Sequence, residues 1–208
     1  MKNGSNHRRG RTILVVLSIA GTLLFLNEGV LPNILPKNLA VVDEGQIYRS
    51  GELTAAATRR VVVNHNIRTI VDLGAHEPGS REEQRAQDTA DALGVKRYIF
   101  DLEGDATGDP NDYVQALRII TDPGDQPVLI HCGAGSERTG CAIALYRHLF
   151  QGLSLDEAYQ ETHQFGHNSK RNPHLRRVLD DWVDEIAQSL KTGIPIDFDP
   201  HVQTDDSQ

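Results

Sequence analysis

His131-Cys132-Gly133-Ala134-Gly135-Ser136-Glu137-Arg138-Thr139-Gly140 gathers a thiol, a guanidinium and two hydroxyls within ten consecutive residues. An apolar run over 126–131 reads as a short strand leading into this segment, and 139–150 reads as a mostly apolar helix leaving it. In the loop between them, Gly133 and Gly135 permit backbone angles closed to other residues. Successive N–H groups can then turn inward and, with the positive end of the helix dipole, form an anion cradle. Arg138 adds a planar fork able to grip two phosphate oxygens. The same field favours the thiolate of Cys132, the form that attacks phosphorus, and attack through a phosphocysteine divides one hard displacement into two easier ones. Thr139 is placed to hydrogen-bond the sulfur and ease its departure in the second step. His131 is expected to brace the loop, and the segment from Gly133 through Ala134, Gly135, Ser136 and Glu137 to Arg138 to bind the substrate. The blander role for Cys132 is an inert core thiol. That blander role suits Cys141, which faces the body of the following helix, with a redox partnership to Cys132 as its alternative.

The flanking pattern alternates strand and helix. Residues 46–49 read as a short strand, and Thr54 caps a helix running through Val62. A buried strand over 68–74 ends at glycine. Ser80 with Glu83 makes a capping box for a helix that stops at Gly94. The next strand spans 96–102, and Pro110 opens a helix at its first turn. Beyond the cysteine loop, Ser154 with Glu157 forms a second capping box. Asn172-Pro173 starts an amphipathic helix through about Leu190, on which Trp182 is a core residue. This alternation predicts an α/β fold with a central, mostly parallel sheet of four to five strands flanked by helices, the loop lying at the sheet's C-terminal edge.

At these residues the chain resembles the protein tyrosine phosphatase superfamily, whose signature His-Cys-x5-Arg-Ser/Thr is matched by His131, Cys132, Arg138 and Thr139. Tyr48-Arg49-Ser50-Gly51, the strand at 68–74, Leu102-Glu103-Gly104 and Arg138-Thr-Gly-Cys141 are similar to the compact dual-specificity group, in particular the atypical members of plants and fungi and their bacterial relatives. The likeness covers roughly 40–187. It implies a dual-specificity-like fold, a phosphocysteine mechanism, no metal or other cofactor, and phosphate-monoester or inositol-phosphate substrates. It also implies a proton donor on a loop upstream of the cysteine. Asp105, just past a strand end in a Gly-rich stretch, aligns best with that acid. Asp109 is the alternative, and Asp101 is disfavoured because it falls within the expected strand. All three also suit solvated turns. Tyr48 and Arg49 resemble a segment near the site, although strand-edge packing explains them equally.

Substrate choice rests on thinner signals. Positions 133–137 lack the lysines that loops serving highly phosphorylated inositols often carry, and Glu137 would repel a polyanion. The leading expectation is therefore phosphotyrosine and phosphoserine/threonine of proteins. A phosphoinositide or inositol phosphate is the alternative, and an inactive phosphate-binding scaffold is the third reading. His163, His167, Lys170, Arg171, His174, Arg176 and Arg177 form a basic segment, read in preference as a solvated helix face and otherwise as a cover over the site's mouth.

The 208 residues suffice for one domain with appendages, assigned to 40–190. A formal charge of −8 argues against general nucleic-acid binding, so any anion site must be local. Cys132 and Cys141 are the two cysteines, too few for a disulfide framework and without zinc-site spacing. Residues 1–11 are basic, and the uncharged apolar run that follows, with its linker over 12–35, reads as a signal anchor or a signal peptide. An anchor would be a single-pass helix holding the catalytic domain on the non-cytoplasmic side of a membrane; cleavage would leave a secreted or periplasmic protein. Residues 191–208 read as an acidic, poorly ordered tail.

Overall fold

A computed structural model describes residues 36–199. Five strands, β1 (Ala40–Asp43), β2 (Ile47–Ser50), β3 (Thr69–Asp72), β4 (Lys96–Ile99) and β5 (Val128–His131), form one sheet in the order β1-β2-β5-β3-β4. β1 runs antiparallel to β2, and every other pairing is parallel. The sheet is thus mixed, with the expected parallel body and an antiparallel edge. Ser50, Asp72 and His131 stand side by side at the ends of β2, β3 and β5, so their connecting loops emerge together.

Among the described residues six α-helices flank the sheet: α1 (Ala55–His65), α2 (Arg81–Leu93), α3 (Pro110–Thr121), α4 (Glu137–Gln151), α5 (Leu155–Thr162) and α6 (His174–Thr192), with a 3-10 turn at His163–Phe165 after α5. The two-residue period of the strands sorts the core. Ile47, Val71, Val128 and Ile130 pack with Tyr113, Leu117, Ile143 and Leu179 on one face, while Tyr48, Ile70 and Leu129 pack with Val61 and Val62 on the other. Cys132 joins the first cluster, and Tyr48 belongs to the second.

The expected caps form. Thr54 accepts from Ala57 N–H, and Pro110 opens α3. Ser154 and Glu157 satisfy each other's backbone N–H groups at 3.2 and 3.0 Å. Ser80 accepts from Glu83 N–H, whereas the Glu83 carboxylate reaches back to Gly79 instead of Ser80.

Three expectations are corrected. β1 has no counterpart among the expected strands. The strands expected to reach 74 and 102 end at Asp72 and Ile99, which leaves Asp101 outside β4 and exposed. The chain after α6 begins in order: Ile196 exchanges two hydrogen bonds with the Asn111 side chain, and Phe198 lies edge-on to Trp182. The apolar segment within 12–35 and the tail from 200 onward lie outside the described residues. Among the described residues no helix is long and apolar enough to cross a membrane.

Candidate active site

β5 ends at His131 and α4 starts at Glu137, leaving 132–136 as the loop. Cys132 is buried, and its Sγ accepts from Gly135 N–H at 3.2 Å. Gly135 sits at φ +72°, and a Cβ there would lie 2.5 Å from Gly51 N and 2.6 Å from Ser50 O. A Cβ on Gly51 would meet Ala134 O at 2.8 Å. Both glycines are therefore required by backbone pressed against backbone, not by flexibility.

Arg138 leaves the first turn of α4 and donates through Nη1 to the carbonyls of Gly74 and Leu102, which fixes its guanidinium between the loops that follow β3 and β4. Its Nε is buried without a hydrogen-bond partner among the described residues, as is the Thr139 hydroxyl. One donor on the arginine and one hydroxyl at the base of the loop are thus unspent.

His131 is buried on the side of the sheet away from the sulfur, lining a cleft with Ile70, Leu129 and Arg97. Its Nε2 lies 3.7 Å from Asp72 Oδ2. Burial pulls its pKa below the usual imidazole range, against the opposing pull of Asp72. Asp72 accepts from Ala75 N–H at 2.7 Å and pairs with Arg97 at 2.6 Å. Burial raises its carboxyl, but His131, the Ala75 N–H and Arg97 together hold it below the ordinary carboxylate range. This buried group shapes the turn carrying Gly74, the acceptor for Arg138, and no motif in the sequence marks it as a site residue.

The three aspartates differ in engagement. Asp109 is the N-cap of α3, its Oδ1 accepting from Asn111 N–H at 2.8 Å. Asp105 lies beyond the end of β4; its Oδ1 accepts from the N–H and hydroxyl of Thr107 at 3.0 and 2.7 Å, and its Oδ2 is 3.9 Å from His174. Burial raises its pKa, and the two Thr107 hydrogen bonds with His174 outweigh that, leaving it below the usual range.

The preferred reading of the basic segment needs correction for its first half. His167 is buried and its Nδ1 lies 2.6 Å from Glu137 Oε2, while Tyr159 occupies its other nitrogen. Asn172 donates both to Glu137 at 2.9 Å and to the Asp105 carbonyl at 2.9 Å. Ser136 donates to the Phe165 carbonyl at 2.7 Å. Residues 165–174 therefore brace the loop and the Asp105 segment together. Arg176 conforms to the solvated reading, pairing with Asp156 and Asp180. The repulsion expected from Glu137 is reduced, because its carboxylate is engaged by two donors. Cys141 is buried in the core, where burial pushes its thiol up to about 12. Trp182 packs against the core from a partly buried position. No group of three or more His, Cys, Asp or Glu among the described residues is placed to hold a metal ion.

A sequence model described as the tyrosine phosphatase family matches residues 33–196. Inositol diphosphatase DSP2 of Oryza sativa subsp. japonica is 33% identical over 145 residues, covering 68% of this chain and 68% of that protein. Inositol diphosphatase SIW14 of Saccharomyces cerevisiae is 29% identical over 201 residues, covering 93% of this chain and 67% of its own length. The solved core catalytic domain of the PP-IP phosphatase SIW14, in complex with citrate, superposes with a TM-score of 0.59 at 27% identity, over 75% of this chain and 94% of that one.

Proposed function

The chain belongs to the tyrosine phosphatase family, and we propose that it removes phosphate from inositol phosphates, diphosphate ends included, through a phosphocysteine on Cys132. In this reading the Cys132 thiolate attacks phosphorus while the inward N–H groups of the loop and Arg138 hold the non-bridging oxygens, and the bond to the leaving oxygen breaks. Asp105 gives that oxygen its proton where one is needed. Water then attacks the phosphocysteine, its proton returning to the Asp105 carboxylate as the sulfur departs toward the Thr139 hydroxyl, and inorganic phosphate is released.

The relatives named inositol diphosphatases carry the choice of substrate, and the surroundings of Asp105 are compatible with it. A carboxyl held below its usual range is seldom protonated near neutrality, so Asp105 is rarely available to donate a proton there. That handicaps expulsion of an alkoxide or phenoxide more than expulsion of a phosphate, which is a far weaker base and leaves without full protonation. A diphosphate substrate suits such an acid. The relatives named inositol diphosphatases support the same reading over the phosphoprotein substrates first expected, and the engagement of Glu137 by His167 and Asn172 removes an objection to it. The absence of lysine from 133–137 favours a singly phosphorylated group such as phosphotyrosine as the second reading.

The test compares the full chain on an inositol pyrophosphate, a phosphotyrosine peptide, a phosphoserine peptide and phosphoinositide vesicles, with Cys132→Ser as control. The proposal expects kcat/KM on the pyrophosphate to exceed that on either peptide by about tenfold or more; the reverse order hands the site to phosphoproteins. Turnover retained by Cys132→Ser removes the nucleophile. Vanadate binding without turnover at any pH between about 5 and 8 leaves the scaffold reading.

A further inference from the structure

Three consecutive carbonyls of the loop are held from outside by one stretch of chain that contributes no reacting group. Glu52 N–H donates to Gly133 O at 3.1 Å, Asn38 Nδ2 to Ala134 O at 2.9 Å, and Arg49 Nη2 to Gly135 O at 2.6 Å. In a planar trans peptide the N–H points away from the carbonyl. Fixing each oxygen outward therefore aims the next N–H inward. The Ala134–Gly135 peptide displays both ends of this arrangement, with its oxygen on Asn38 and its N–H on Cys132 Sγ.

We propose that Arg49 and Asn38 are positioning residues for the phosphate cradle, holding the Gly135 and Ala134 carbonyls from behind so that the loop's N–H groups stay turned to the sulfur and the phosphate. The proposal rests on the phosphatase reading above. Arg49 is built for the task. It lies on β2 beside Ile130 of β5, is 1% exposed, and its guanidinium sits 3.6 Å from the centre of the Phe165 ring, which fixes the plane of the fork. The Phe165 carbonyl accepts from Asn38 at 3.0 Å and from Ser136 at 2.7 Å, so ring and carbonyl tie both positioning residues to the loop. Asn38 holds its place at φ +51°, a left-handed conformation that asparagine tolerates better than most residues. Burial lowers Arg49 to about 10, which leaves it a cation near neutrality behind the loop that carries Cys132. The desolvation that this charge suffers contributes nothing to packing that an apolar side chain would not supply better; the loop carbonyl explains its presence.

The experiment uses the full chain with Arg49→Lys, Arg49→Met and Asn38→Gly, the last preserving the left-handed backbone at a half-buried position. Asn38→Gly is expected to lower kcat by about tenfold and Arg49→Lys by about a hundredfold, the scale of a slightly misplaced catalytic group. In the same order, alkylation of Cys132 by iodoacetamide should require higher pH and vanadate should bind more weakly, with circular dichroism showing a folded protein. Melting temperatures that fall while the alkylation profile and vanadate affinity stay at wild-type values overturn the proposal, and Asn38→Gly alone is sufficient to overturn it if the arginine variants do not fold. Failure of the wild-type chain to turn over any phosphate ester removes the phosphatase reading by itself, and alkylation and vanadate binding still decide the positioning role.

Discussion

Replacing Asp72 by asparagine preserves the shape of the side chain while leaving Arg97 charged and buried behind the loop. The two groups stand 2.6 Å apart with side chains only 1% and 2% exposed. At an effective dielectric constant of about 20, unit charges at that separation attract by about 6 kcal/mol, much of it offset by the desolvation of both ions. Removing one partner of such a pair costs about 3–5 kcal/mol, because the survivor keeps its desolvation penalty. Against a total stability of roughly 5–15 kcal/mol, and with each kcal/mol worth about 2–4 °C in a domain of this size, Tm should fall by roughly 6–20 °C. Turnover should fall as well, since Asp72 holds Ala75 and the adjacent Gly74 carbonyl holds Arg138. Thermal unfolding of wild type, Asp72→Asn and Asp72→Asn/Arg97→Met at pH 7 checks the sign twice, because an apolar side chain replacing the orphaned cation should restore most of the loss. The carboxyl is held below its ordinary value, so its contribution is present above the unfolded pKa of about 3.9 and is lost as pH falls through the folded value. The gap between wild type and Asp72→Asn should therefore close below about pH 4. A single variant melting within about 2 °C of wild type, or a double variant melting lower than the single, refutes this account of the pair.

Gly135→Ala must place a Cβ 2.5 Å from Gly51 N at a left-handed φ, and should cost at least about a hundredfold in kcat/KM together with vanadate binding; wild-type affinity for vanadate would show that the loop has another way to close. Asp105→Asn should slow hydrolysis of an alkyl phosphate by about 10²–10⁴ and of an inositol pyrophosphate by less than about tenfold, and equal losses would remove the argument from leaving-group basicity. His131 is neutralised by burial, so its contribution is full above about pH 6.5 and is lost as pH falls from there through the folded value. Urea unfolding at pH 7.5 and 5.5 should therefore show a larger loss for wild type than for His131→Gln. With its thiol pushed up to about 12 by burial, Cys141 should resist iodoacetamide at pH 8 until the protein unfolds, leaving Cys132 as the labelled cysteine in peptide mass spectra.

The candidate catalytic groups are legible in the sequence because they are contiguous. Cys132, Arg138 and Thr139 lie within eight residues, and Gly135, whose left-handed φ shapes their loop, lies between them. The parallel strands are legible for a related reason: burial on both faces makes β3 and β5 short, wholly buried runs that no solvent-facing alternation obscures. β1 has neither advantage. It is four residues long, interrupted by a bulge, half-exposed at Val41, and defined by a pairing with β2 that only the folded hairpin reveals. Asp101 reads as a strand residue because the apolar run continues to Leu102, whereas β4 ends where pairing with β3 stops, at Ile99 opposite Asp72.

The loop's supports are illegible because their separation in sequence is large and their residue types are ordinary. Asn38 reaches carbonyls 96 and 127 positions away, and nothing in Lys37-Asn38-Leu39 announces it. Glu137 misleads on the same ground. Taken with its neighbours in the loop it is an uncompensated charge facing the substrate, but its partners, His167 and Asn172, stand 30 and 35 residues downstream and meet it only because the chain after α5 folds back over the start of α4. The field over the phosphate site is therefore a property of pairs closed across the fold. Loop composition alone overstates the repulsion that a polyanion would meet here, which is why counting lysines and glutamates between Cys132 and Arg138 points to phosphoproteins, whereas the engagement of Glu137 by His167 and Asn172 is compatible with the substrate proposed above.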